Sequence, residues 1–261
     1  MKYFENDTAG FYCNDGDPAQ SFIAKIAGLI KNHPFVLEPF PDIREDIRSL
    51  LAKQGLLLYS TVKKTTLIYD PESAAFLKIL HPLNIRSRVV FLLVKKAKTI
   101  YNTSEYLSSK GIKMQRVIAY GIFKNGSLPF FAVKKAEGES LYDILIRGGR
   151  SLTVTEYRKV IDEVARLHSL GYWLGDAHLS HIFIKDGEVS GLIDIDGIRK
   201  NRPYMLKNLA KDIAGLNHPD LPLTNDEKKS LLGYYLDKVK VSEEDKFIQL
   251  VKYYTERRWK D

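Results

Sequence analysis

The stretch LHSLGYWLGDAHLSHIFIKDGEVSGLIDIDGIR, running from Leu167 to Arg199, decides the fold. It reads as a helix end, a loop, a hairpin and a second loop. His181–Ile184 and Val189–Ile193 are strand-like runs. Asp186-Gly187 between them is the kind of pair a type I′ turn requires, because both central residues take positive φ. Polar residues gather at the outer ends of this hairpin. Asp176 and His181 lie before the first strand, and Asp194 and Asp196 follow the second. Antiparallel strands bring their outer ends together, so Asp176, His181 and Asp194 are expected at one mouth although they are distant in sequence. Oxygen donors with one imidazole suit a hard divalent cation that arrives with phosphates. A carboxylate held off that metal can orient an attacking hydroxyl.

Outward from this stretch, the C-terminal side is helical. Thr155–Leu170 has apolar residues at 157, 160, 161, 164 and 167, the spacing of one buried helical face, with Thr153 or Thr155 to cap it and Gly171 to end it. Leu206–Leu216, Asn225–Lys238 and Ser242–Arg258 read as further helices. On the N-terminal side, Leu56–Ser60, Thr65–Tyr69, Ala75–Leu80, Val117–Ile122 and Pro129–Lys134 are short strand-like runs. The long segment Ile85–Lys110 between them reads as helical. Ser21–Ile30 and Asp42–Lys53 have helical spacing, His33–Pro41 reads as extended, and the turn-rich residues 1–18 read as an irregular arm. Strands followed by helices predict an α+β protein with segregated lobes: an N-terminal extension (1–52), a small β-rich lobe (53–136) and a larger helical lobe (137–261), with Ala136–Ser140 as the linker.

The chain has 261 residues, 44% of them hydrophobic and 28% charged, which is an ordinary globular composition. Its single cysteine, Cys13, excludes an internal disulfide scaffold and any multi-cysteine metal site, and favours a reducing, cytoplasmic setting. The longest aliphatic or aromatic run, Val89–Val94, is far too short to span a bilayer. The net charge is +8, and residues 53–135 carry all of the basic excess, as expected of a segment that meets phosphate-rich partners.

The loop and hairpin resemble the catalytic region of protein kinases, in which an Asp, four spacers and an Asn precede a hairpin and Asp-Phe-Gly follows it. Gly175-Asp176-Ala177-His178-Leu179-Ser180-His181 is similar to that loop, with His181 where Asn is usual. Ile193-Asp194-Ile195-Asp196 is similar to the metal-binding motif, with Asp where Gly is usual. Both departures resemble the bacterial lipopolysaccharide core kinases, which phosphorylate Kdo or heptose. Leu167-His168 is also similar. The resemblance covers roughly residues 50–240 and implies a two-lobed protein-kinase-like fold that uses ATP with Mg2+ or Mn2+.

Residue by residue, the resemblance implies Asp176 as the catalytic group and His181 and Asp194 as metal ligands. Lys78 takes the place of the ATP lysine and Glu105 that of its helix partner. Lys134 and Ala136 would present hinge backbone groups to adenine. Asp212 resembles a buried aspartate that braces the catalytic loop. One departure is the absence of glycine from Ser60–Thr65, where a phosphate-covering loop belongs.

Rival readings are a metal-dependent hydrolase using His178, His181 and the aspartates, which leaves Lys78 and Glu105 unexplained, and a pseudokinase scaffold, against which Asp176 and Asp194 both argue. Only 15 residues lie between Asp196 and Asp212, too few for a long activation segment. That favours a sugar or glycolipid acceptor over RIO-like protein-directed activity, with an aminoglycoside-type acceptor as a further alternative. No nucleic-acid partner is expected. Val89–Val94 is flanked by Arg86, Arg88, Lys95, Lys96 and Lys98, a pattern expected either to touch the anionic inner-membrane leaflet peripherally or to be buried in the small lobe.

Overall fold

A computed structural model of the chain describes residues 1–33, 45–62, 64–202 and 204–260. The chain divides into two compact units: Met1–Tyr106 with Gln115–Lys135, and Leu107–Met114 with Ala136–Asp261. It is an α+β protein with a sheet-rich first unit, a helical second unit, and the element order expected of a protein-kinase-like fold.

The first unit comprises β1 (Lys2–Glu5), β2 (Ala9–Cys13), α1 (Pro18–Asn32), α2 (Glu45–Ala52), β3 (Leu57–Val62), β4 (Thr65–Asp70), β5 (Ala75–Leu80), α3 (Ile85–Leu93), most of α4 (Lys96–Ser109), β6 (Val117–Phe123) and β7 (Leu128–Lys134). Its strands form one seven-stranded sheet in the order β1-β2-β6-β7-β5-β4-β3, with antiparallel neighbours throughout. Phe22, Ile23, Ile26 and Ile30, one face of α1, are buried with Leu77, Ile79, Phe123 and Phe130 of the sheet. Burying such side chains stabilises by ~1.5–3 kcal/mol each.

The N-terminal residues correct the expectation of an irregular arm and a separate extension. Asn6 Oδ1 accepts from the amides of Thr8 and Ala9 at 2.9 and 2.7 Å, an Asx-type turn that folds β1 onto β2. Strand β2 then pairs with β6, Ala9 to Phe123 through Cys13 to Ala119, so this hairpin belongs to the sheet. The segment Ile85–Lys110 is helical as expected, in two pieces, α3 and α4. Lys95 turns left-handed at φ 46°, and the Thr99 hydroxyl donates to the freed carbonyl of Val94 at 2.8 Å. On α3 and just beyond it, Val89, Val90, Leu93 and Val94 are 45–77% exposed, so these four side chains are not buried in the small lobe. The proline-rich segment beyond His33, and Lys63, lie outside the described residues.

The second unit comprises β8 (Glu139–Ser140), α5 (Val154–Ser169), β9 (Tyr172–Trp173), β10 (Ile182–Lys185), β11 (Glu188–Leu192), β12 (Arg199–Lys200), α6 (Leu206–Leu216), α7 (Asn225–Val239) and α8 (Glu244–Arg258). The expected linker is partly strand, because β8 pairs with β10. Helix α5 starts with a complete capping box, Thr153 and Glu156 each satisfying the other's amide. A second such box, Thr224 with Glu227, starts α7. Two apolar clusters fill this unit. One joins α5 to the hairpin and to Leu231 of α7; the other joins α6, α8 and the later part of α7.

Candidate active site

The hairpin β10–β11 forms as the sequence requires. Asp186 and Gly187 both take positive φ, 52° and 74°, and Ile182 pairs with Leu192 at the open end. One step further out, the Ile193 amide donates to the carbonyl of His181 at 2.9 Å. His181 and the residue before Asp194 are therefore direct backbone partners.

Two glycines bring the remaining segment in. Gly175 sits at φ 84°, and a Cβ there would stand 2.2 Å from the carbonyl oxygen of Gly197. No side chain fits in that space, so the chain leading into Asp176 can touch the turn carrying Asp194 only with glycine at 175. A Cβ on Gly197 would in turn stand 2.9 Å from Asp194 Oδ2. Asp194 itself is left-handed, at φ 62° and ψ 45°, a conformation that is uncommon outside glycine and that clusters at functional sites. Strands β9 and β12 pair on either side of this contact, Trp173 with Arg199 and Tyr172 with Lys200.

Beneath the loop, the buried carboxylate of Asp212 accepts from the Leu174 amide at 2.5 Å and meets His168 Nε2 at 3.1 Å; His168 Nδ1 reaches the Tyr235 hydroxyl at 2.6 Å. This is the bracing role expected of Asp212. At the surface, the side chain of Asp176 is 68% exposed, and its Oδ1 accepts from Arg258 at 3.0 Å. His181 Nδ1 lies 3.0 Å from the Asp176 carbonyl. A carbonyl can only accept, so Nδ1 carries the proton, and the lone pair of a neutral imidazole is left on Nε2.

Several side chains around the loop are ones that the sequence did not single out as site residues. Arg258 lies over the Trp259 ring at 5.4 Å, Trp259 packs on His218 at 4.4 Å, and Tyr142 packs near both His218 and His178. His178, which reads in sequence as a turn residue, does cap the short turn Leu179–His181 through the Ser180 amide. It also stands 5.8 Å from His181, ring to ring, and burial pushes its pKa down. Tyr142, His178, His218 and Trp259 are all half-buried. The C-terminal end of α8 contributes both Arg258 and Trp259, and no short-range pattern announces that contact.

In the first unit, Lys78 is half-buried in β5, between Leu67 of β4 and Phe131 of β7. Glu105 lies exposed on α4, where its carboxylate acts on Tyr101. Lys78 with Glu105 is not among the ion pairs of the described residues. The Lys134 amide donates to Arg116 at 3.0 Å, and its carbonyl accepts from Gln115 Nε2 at 2.8 Å. Its N–H is thus committed within the sheet unit. Ala136 begins the second unit, half-buried, and Gly191 lies beside its side chain.

Among the described residues no group of three or more His, Cys, Asp or Glu side chains is placed to hold a metal. A carboxylate such as that of Asp194 suits Mg2+, which is bound through one or two carboxylates and takes its other ligands from water and substrate phosphates; an imidazole such as that of His181 is a softer donor. His181 Nε2 and the Asp194 carboxylate are the protein donors that would hold it.

No protein-family model matches the sequence, and neither does any curated protein. Solved structures similar to the chain include the bifunctional kinase-methyltransferase WbdD, at 15% identity and TM-score 0.45, covering 74% of this chain and 47% of that one. An aminoglycoside-3'-phosphotransferase of type VIII is similar at 13% identity and TM-score 0.49, covering 80% of this chain and 98% of that one. The chain therefore spans about half the length of the WbdD chains.

Proposed function

We propose that the chain is an ATP-dependent phosphotransferase acting on a sugar hydroxyl, Kdo or heptose of a lipopolysaccharide core being the acceptor that the sequence resemblance favours. The observation that carries the reading is the loop: an exposed carboxylate, Asp176, locked by Gly175 and Asp212 beside two metal-competent donors, His181 Nε2 and Asp194. Asp176 orients the acceptor hydroxyl and takes its proton as the oxygen bonds to the γ-phosphorus. The bond from that phosphorus to the bridging oxygen breaks, and ADP leaves. When bound, Mg2+ supplies charge neutralisation on the phosphates. Lys78 would add to that neutralisation. Positioning and electrostatics account for most of such a reaction. The half-buried rings of Trp259 and Tyr142 suit the apolar face of a pyranose and favour a sugar over a fully polar acceptor.

The test is ATP turnover with Mg2+ and core oligosaccharide, followed by mass analysis of the acceptor. Gain of a phosphate on Kdo or heptose is the expected result. Phosphate gain only on protein, or no turnover with any sugar acceptor, overturns the reading.

The exposed run on α3 supports work at an anionic membrane surface. Val89, Val90, Leu93 and Val94 are open, Arg86, Arg88, Lys95 and Lys98 are exposed beside them, and no described helix is long and apolar enough to cross a bilayer. Each basic residue near an anionic surface adds ~1 kcal/mol. Flotation should recover the protein on anionic but not neutral liposomes, with loss at high salt. Equal recovery on both removes the membrane role.

A further inference from the structure

The helical unit holds a second cavity, which Leu179 of the loop touches from one side. A cavity of about 700 Å³ opens where its two apolar clusters meet, between the α5–α7 side and the α6–α8 side. Leu145, Val160, Val164, Leu231, Ile248 and Val251 are among its walls. Native cores leave few voids larger than a water molecule, whereas this volume is in the range of small-molecule sites. Ile248, 42% exposed, marks where the walls reach solvent.

Two polar features make this more than an apolar gap. The first is buried hydroxyls without partners. Tyr157, 7% exposed, and Thr255 both line the cavity, and neither Tyr157 Oη nor Thr255 Oγ1 has a hydrogen-bond partner among the described residues. A buried hydroxyl left unsatisfied is costly and points to a missing acceptor. Burial, with Glu227 nearby, pushes the Tyr157 pKa up to about 12, so the group stays a neutral donor. The second is charge. Lys228, Lys229 and Lys252 line the cavity against one acid, Glu256. Lys229 is paired with Asp226 at 3.7 Å, while Lys228 and Lys252 have no ion pair among the described residues. Glu227 adjoins Lys228 in sequence and acts on Tyr157, so the Tyr157 hydroxyl lies at the end of the cavity near the start of α7.

We propose that this cavity binds a single-chain aliphatic anion such as a fatty carboxylate, with its alkyl chain between the two helix pairs and its head group at Tyr157 and Lys228. The branched aliphatic walls suit a flexible chain. The head would accept from Tyr157 and neutralise the lysine charge, which a neutral apolar ligand cannot do. This inference does not rest on the phosphotransferase reading.

Calorimetric titration of the full chain with decanoate, and with methyl decanoate as the uncharged control, tests it. Decanoate should bind saturably at one site, and at least ten times more tightly than the ester. Lys228→Glu, at a helix surface, should weaken decanoate at least tenfold and leave the ester unchanged. Ile248→Trp, at the partly exposed wall, should weaken both, with a circular-dichroism spectrum like that of the unsubstituted protein. Tyr157→Phe should weaken decanoate alone. Absence of saturable decanoate binding, equal affinity for acid and ester, or decanoate affinity unchanged in both Lys228→Glu and Ile248→Trp would overturn the proposal.

Discussion

The loop of the second unit and the lysine strand of the first are held by different means. Around Asp176, backbone contacts leave few alternatives: Ile193 donates to His181, Gly175 abuts Gly197, and Asp212 grips Leu174. In the first unit, β5 holds Lys78 between Leu67 and Phe131, and the exposed Glu105 on α4 interacts with Tyr101. The acceptor side of the proposed chemistry is thus built into the main chain, whereas the phosphate-binding side depends on side chains at the surface of a sheet. Substitutions should therefore be felt sharply in the loop and mildly on α4.

The largest expected effect is Asp176→Ala, which should lower turnover by about 10²-fold or more while nucleotide binding persists, the usual contribution of a general base. Near-normal turnover in a folded variant would remove Asp176 from the chemistry. Next is His181. His181→Leu should weaken dependence on Mg2+ by ~10–100-fold, the usual scale for disturbing a metal site, while His181→Asn retains activity. A fully active Leu variant would show that Nε2 holds no metal.

A third effect belongs to the first unit alone. His81 is buried against the Thr66 hydroxyl, and burial pushes its pKa down to about 4. The unfolded chain titrates near 6.5. Above 6.5 both forms are neutral. Between 6.5 and 4 the unfolded chain takes up a proton that the folded chain refuses, so stability falls as pH drops and levels off below 4. The loss is at most ~3 kcal/mol. Urea midpoints between pH 7 and 4 should show this slope, and it should flatten in His81→Gln. The smallest effect is Glu105→Gln, expected to change turnover by less than about threefold, since exposed charges contribute ~0–1 kcal/mol. A hundredfold loss would restore Glu105 as the partner of Lys78 and erase the contrast between the two regions.

The sequence was most legible where chain neighbours decide the outcome. Asp186-Gly187 made the turn, the apolar spacing from Tyr157 to Leu167 made α5, and Asp212 braced the loop. It was least legible where distant residues meet. Arg258 and Trp259 lie 82 residues or more beyond Asp176, and the Lys134 amide is taken by Arg116 across the sheet. The N-terminal hairpin is hard to read because turn residues crowd residues 1–18. The runs on either side, Tyr3-Phe4 and Phe11-Tyr12, were the strand signal, and Tyr3 indeed faces Tyr12 at 5.0 Å. Gly175 reads in sequence only as part of the loop motif. Its need to be glycine comes from the Gly197 carbonyl, which local pattern does not reveal.

That hairpin has a practical consequence. Strand β6 sits inside the sheet only because β2 covers it, Ala9 to Phe123 through Cys13 to Ala119. A shortened form starting at the kinase-like core would leave β6 as an open edge, a row of unpaired amides and carbonyls alongside Ile118, Tyr120 and Ile122. Such an edge is a template for self-association. Trimming the first thirteen residues to simplify the protein would therefore trade a short tail for an insoluble one.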